Sequence, residues 1–216
     1  FTLPFKFEGA KKMEIAGESL DEIKPYLNAV SVLPNENIFK IIDKNAPLKE
    51  ALSIINSNLS ESLKGLIEAI YSPGLINIDF ADFRTILEGK GKVSYLNTAV
   101  FDVSKGMEEP LRKVISSPFC SYGVEGATGI LLNVTGSRKI GLNDVSQISE
   151  KIAGMVKKNA TIIFGISHDN KYNDKIKIMV LAVGCDADNI FPKSKEKNAP
   201  TKEKKEPVKE KKKKPK

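Results

Sequence analysis

Gly74-Leu-Ile-Asn-Ile-Asp-Phe-Ala-Asp-Phe-Arg-Thr-Ile-Leu87 sets an amide and two carboxylates, Asn77, Asp79 and Asp82, in a loop between two helical patterns. Upstream, residues 47–71 read as one amphipathic helix, with Leu48, Leu52, Ile55, Leu59, Leu63, Leu66, Ile67 and Ile70 at steady helical spacing. Pro47 suits its first turn, where a missing N–H is tolerated, and Pro73-Gly74 ends it. About 25 residues of helix run roughly 37 Å, the length of a spine between two layers. Downstream, residues 81–88 begin a second helix with Asp82 in its first turn.

Two readings of the acids stand open on the residues alone. In one, Asp82 is an N-cap or first-turn acid and Asp79 bonds its own loop backbone. In the other, the acids serve chemistry. Two carboxylates repel a bare triphosphate, but beside a phosphate already neutralised by a cation and helix N-termini they orient an attacking water. Asn77 then adds a neutral hydrogen-bonding partner for phosphate or water.

Around this stretch, strands and helices alternate. Residues 1–8 suggest a short strand, 11–27 a helix, 29–33 a compact buried strand and 38–42 a short helix. Beyond the loop come a strand at 93–103, a short helix at 108–115 and a strand at 129–134 turned by Thr135-Gly136. A helix carried by Leu142, Val145, Ile148, Ile152 and Met155 follows, then strands at 161–166 and 175–183. This alternation predicts an α/β layer architecture, and the last two strands, with no helix between them, predict a mixed sheet.

The 216 residues carry a formal charge of +7, but it is unevenly placed. Residues 193–216 hold 12 Lys and 4 Glu, a charge of +8, and leave 22 basic and 23 acidic residues, −1, in the body. A near-neutral body argues against a nucleic-acid face, and the Lys-rich tail is expected to be disordered. Cys120 and Cys185 lie far apart without metal or redox spacing and read as small buried hydrophobes in a reducing compartment. No apolar run has the ~20 residues of a membrane span, and no signal peptide is visible. His168, alone in a polar turn, reads as an exposed residue, and Arg84 as a brace for the loop. Phe1 is not a Met and falls within a strand pattern, so the chain reads as part of a longer product.

The loop resembles the synergy loop of FtsZ, the tubulin-like GTPase of bacterial cell division, in Pro-Gly-Leu-Ile-Asn, Asp-Phe-Ala-Asp and Arg-Thr together. The likeness extends from about residue 3 to 186. Pro4-Phe-Lys-Phe-Glu-Gly9 with Lys11-Lys12 resembles the family's ribose-side segment, and Ile115-Ser-Ser-Pro118, 129–136 and 180–184 resemble its C-terminal domain motifs. The resemblance implies a tubulin/FtsZ-like fold: residues 1–46 ending the GTPase domain, 47–71 the central helix, 72–188 the loop and a C-terminal domain with a four-stranded mixed sheet, and 189–216 a tail. It implies that Asn77, Asp79 and Asp82 are catalytic, that Glu8, Lys12 and Asn56 contact nucleotide, and that GTP or GDP binds with Mg2+. Lys12 stands where the family carries Arg, keeping charge but losing the planar fork. Leu52 stands where an aromatic ring commonly stacks on the base.

The expected activity is GTP hydrolysis between head-to-tail subunits, in a ring at mid-cell in the cytoplasm, with divisome and membrane-tether proteins as partners. The Lys-rich tail adds a candidate contact to anionic lipid. No glycine-rich phosphate cradle occurs in the 216 residues, so this polypeptide alone is expected to be inactive. The competing reading is a non-enzymatic module that binds filaments or regulates their assembly.

Overall fold

The computed structural model describes residues 1–43, 45–102, 108–137, 141–172, 175–187 and 190; the side chains of 108–110 and 142–144 are left aside. The Lys-rich tail call, apart from Ile190, lies outside the described residues.

Two strands dominate the architecture because both of their faces are buried. β8 (Lys175–Val183) is buried from Ile176 onward, and β6 (Gly129–Gly136) along its whole length. Their near-continuous apolar runs are those of strands covered on both sides. β6 pairs antiparallel with β8 and parallel with β7 (Thr161–His168), while β8 pairs antiparallel with β5 (Lys92–Asp102). The short strands β2 (Ala29–Val30) and β4 (Gly74–Ile76) complete a six-stranded mixed sheet of order β2-β5-β8-β6-β7-β4. Two residues each of β1 (Thr2–Leu3) and β3 (Leu33–Pro34) form a separate parallel pair.

The period of two along β8 sorts side chains between two layers. Ile176, Ile178, Val180 and Ala182 face α4 (Glu108–Ile115) and α5 (Leu142–Ala153), packing with Leu111, Val114, Ile148 and Ile152. Met179, Leu181 and Val183 face α2 (Leu48–Tyr71) and α3 (Phe80–Ile86), meeting Leu66, Ala69, Phe83 and Ile86. Lys177, on the α2 side, is buried and forms an ion pair with Glu68 of α2. Its ammonium also lies 5.9 Å from the centroid of the Tyr172 ring.

The amino-terminal segments pack on two further clusters. α1 (Ala10–Ile23) puts Leu20 against Leu3, Val30, Val32 and Val93, and Phe5 joins Ile38, Ala51 and Ile55 of the central helix. Polar bonds tie this region to the sheet: Tyr122 Oη accepts from Val32 N at 2.8 Å and donates to Ser94 O at 3.0 Å, and Asn37 Nδ2 donates to Phe119 O at 3.0 Å.

The long helix, the mixed sheet and the buried cysteines follow the sequence reading. Five local expectations do not. The segment expected as one strand at 29–33 divides into β2 and β3, each paired with a different partner. Residues 6–8, expected in a strand, form a 3-10 turn, and 38–42 are replaced by a 3-10 helix at Asn35–Lys40. Thr135 and Gly136 extend β6 rather than turning, because they remain paired with Lys177 and Ile176. His168 closes β7 opposite Gly136, half-buried, with its Nε2 enclosed and lacking a hydrogen-bond partner.

Candidate functional site

The loop that carries the three candidate catalytic residues is short, and its ends are fixed before its side chains are. β4 lies antiparallel on β7, Gly74 opposite Ser167 and Ile76 opposite Ile166. A methyl group on Gly74 would come within 2.3 Å of the Ile166 carbonyl oxygen, so only glycine permits this approach. Between β4 and α3 the chain exposes Asn77, buries Ile78 and exposes Asp79, the alternation of extended backbone. Ile78 thus pins the loop from beneath while its neighbours face outward.

Local hydrogen bonds set the rest. Asp79 is the N-cap of α3: its Oδ1 accepts from Asp82 N at 2.7 Å, while Asp82 Oδ2 accepts from Asp79 N at 3.1 Å. This reciprocal pair is a capping box with aspartate in place of the usual glutamate. Asn77 Oδ1 accepts from Gly74 N at 2.7 Å. The structural reading of the acids therefore holds, and it does not exhaust them. Each carboxylate uses one oxygen for the cap, leaving the other, with the Asn77 NH2, for a ligand. An apolar collar surrounds them, since Leu75 is 80% and Phe80 58% exposed, beside Tyr71 and Ile76. Outward-facing acids within exposed apolar residues are the composition of a contact surface with a polar centre. Arg84, the expected brace, lines an adjacent trough with Phe80, Phe83 and Asn28.

The three candidate nucleotide contacts divide into two groups. Glu8 and Lys12 meet directly, one helical turn apart at the start of α1, and Glu8 Oε1 also accepts from Phe5 N at 2.8 Å. The Lys12 ammonium, then the Phe5 amide, hold the Glu8 carboxyl below its ordinary pKa. Asn56 lies on the solvent side of α2, in an open trough with Leu48, Leu52, Ser53 and Ser60. Phe5 connects the groups, since it packs on Ala51 and Ile55, the helix neighbours of Leu52 and Asn56. No group of three or more His, Cys, Asp or Glu among the described residues converges to hold a metal. The cysteines are inert: burial pushes both thiols up to about 12.

Sequence reasoning missed Ile78, Asn133, Gly165 and Ser167, the residues beneath the loop. The alternation of Asn77, Ile78 and Asp79 was a usable signal for Ile78; the others lie in strands whose pairing with the loop is not local.

Comparison with known proteins places the chain as a whole. The cell division protein FtsZ of Wigglesworthia glossinidia brevipalpis is 31% identical over 188 residues, covering 87% of this chain and 49% of that protein. The chain belongs to the FtsZ family. Residues 98–186 match the model of the FtsZ family C-terminal domain. A solved FtsZ dimer from M. jannaschii is 32% identical, with a TM-score of 0.72 over 85% of this chain and 53% of that one. CetZ1 from Haloferax volcanii, solved as a GDP-bound monomer, shares the fold at 17% identity, with a TM-score of 0.67 over 88% of this chain and 55% of that one. The fold is thus the tubulin/FtsZ-like α/β fold. The chain spans about half the length of the curated FtsZ relative it matches.

Proposed function

We propose that this chain is the part of an FtsZ-type subunit that supplies a hydrolytic loop to GTP held by the next copy in a head-to-tail filament. The observation that carries this reading is the loop itself: Asn77, Asp79 and Asp82 project free polar atoms from a collar of exposed apolar residues. A neighbour covering the collar excludes water from the rim and leaves the carboxylates to orient a water at the terminal phosphate. Such a contact joins two different surfaces, so it propagates into an open filament. Glu8, Lys12 and Asn56 line the chain's own nucleotide edge, toward ribose, phosphate and base, with Leu52 offering aliphatic contact in place of an aromatic stack. In the cell this reading places the protein in the cytoplasm, in the division ring at mid-cell.

The test is phosphate release on mixing this chain with an FtsZ whose own loop acids are replaced, so that it binds GTP but barely turns it over. Release should rise with added chain and disappear with Asp79→Asn. Asparagine is an equally good N-cap, so this substitution removes charge and leaves the helix start in place. Binding without any rise in release would instead support the non-enzymatic assembly module.

A further inference from the structure

Beneath the outward-facing loop residues lies a buried polar arrangement that neither the capping box nor the apolar core requires. Ile78 is 3% exposed, and its side chain rests on the strand pair β6–β7 at Gly165. A methyl group placed on Gly165 would lie 2.6 Å from Ile78 Cδ1, 2.7 Å from Ile78 Cγ1 and 2.7 Å from Asn133 Oδ1. Gly165 has no positive φ, so its backbone suits any residue and only the space above it demands glycine. Asn133 is paired with Gly165 across the strands. Its Nδ2 donates to Thr135 Oγ1 at 3.1 Å, and its Oδ1 accepts from Ser167 Oγ at 3.3 Å. Ser167 in turn faces Gly74, where the loop leaves the sheet.

We infer that Asn133, Ser167 and Gly165 form a socket that fixes Ile78, making them positioning residues for Asn77 and Asp79; the inference rests on the functional reading above. An amide bonded at both ends cannot swing away, so the socket floor has one height. A buried amide specifies a single packing because any alternative strands its hydrogen bonds. Ile78 then has one depth, and the residues on either side of it have one projection. The capping box fixes Asp79 relative to Asp82; the socket, with the β4–β7 pairing and the packing of α3 on the sheet, fixes both relative to the sheet. Loss of about 1 Å in such placement costs up to ~100-fold in rate with little effect on binding.

The experiment is the same mixing assay with the full 216-residue chain, reading maximal phosphate release and the chain concentration at half-maximum separately. Gly165→Ala should lower the maximal rate about 10- to 100-fold while the half-maximal concentration stays within about threefold. Replacing Ile78 by Val in that background removes the nearest clashing atom and should restore part of the rate, a coupling that general destabilisation would not produce. Amide exchange supplies a readout independent of activity: Asp79 and Asp82 amides should exchange faster in Gly165→Ala, with β8 amides unchanged. Where exchange shows β6 or β8 disturbed, Ser167→Ala decides instead, since it only unties Asn133 from β7. The inference is overturned if Asp79→Asn abolishes release while Gly165→Ala and Ser167→Ala leave rate and exchange unchanged. If the unmodified chain and Asp79→Asn release phosphate equally, the functional reading falls first and takes this inference with it.

Discussion

The two candidate sites are built by opposite means. The Asn77–Asp82 loop is exposed at its tip but anchored in the three-layer core through Ile78, β4 and the strands beneath. The Glu8–Lys12 pair joins the 3-10 turn before α1 to that helix's first turn and is held chiefly by its own two charges and one backbone amide. Where a group must be placed against a reacting atom, its position is inherited from buried packing. Where it need only present charge or a hydrogen bond to a ligand edge, a local surface pair suffices, because a flexible cation finds its partner without a rigid frame.

This contrast can be broken by substitution. The largest effect is on chemistry: Asp79→Asn or Asp82→Asn should lower phosphate release in the mixing assay by about 100-fold, the usual span of a positioned acid–base group. Each should leave the melting temperature nearly unchanged, since asparagine keeps an acceptor for the cap. A matching fall in melting temperature would return both residues to a purely structural role.

Next comes stability at the loop. Ile78→Ala should destabilise by about 2–5 kcal/mol in denaturant unfolding, as deletion of a buried aliphatic side chain does. Leu75→Ala, three residues away but exposed, should stay within about 0.5 kcal/mol and instead weaken association. Equal effects of the two would mean that the loop is not anchored as described. Smaller is the ion pair behind the sheet. Glu68→Ala leaves Lys177 buried without its partner and should cost about 1–3 kcal/mol, while a paired exchange of both residues for apolar ones should recover much of it.

The smallest effect concerns Glu8. Its carboxyl is held below the ordinary range, so the pair contributes at any pH above that range and fades only as acid passes through the lowered value. Between neutrality and mild acid the melting temperatures of wild type and Glu8→Gln should therefore run in parallel, wild type the higher, and converge only at lower pH as the pair is lost. Nucleotide affinity of the assembled protein should fall in Glu8→Gln at all these values. A gap that already closes between neutrality and mild acid would show that the Glu8 carboxyl is not held below its ordinary range.

Much of this was legible in the residues because it depends on short-range regularities. The 3.6-residue spacing from Leu48 to Ile70 gave the central helix, and the apolar runs at 129–134 and 175–183 gave two strands. Asp82, placed in a first helical turn, marked a helix start, while the N-cap role of Asp79 emerged only in the structure. Three features escaped because they depend on distant pairing. Thr135-Gly136 has turn composition yet stays extended because β8 continues alongside. His168 reads as a polar turn residue yet is enclosed at the end of β7. The strand order placing β6 between β7 and β8 is carried by no local pattern.

By itself, the sequence determined the long helices, the main strands and the identity of the loop acids, since propensity, periodicity and capping act within a few residues. Tertiary structure alone decided that Asn133, Gly165 and Ser167 lie beneath Ile78, and hence what holds Asn77 and Asp79 in place. Those contacts join residues 55 to 89 positions apart, and such closure is specified only when the whole core packs at once.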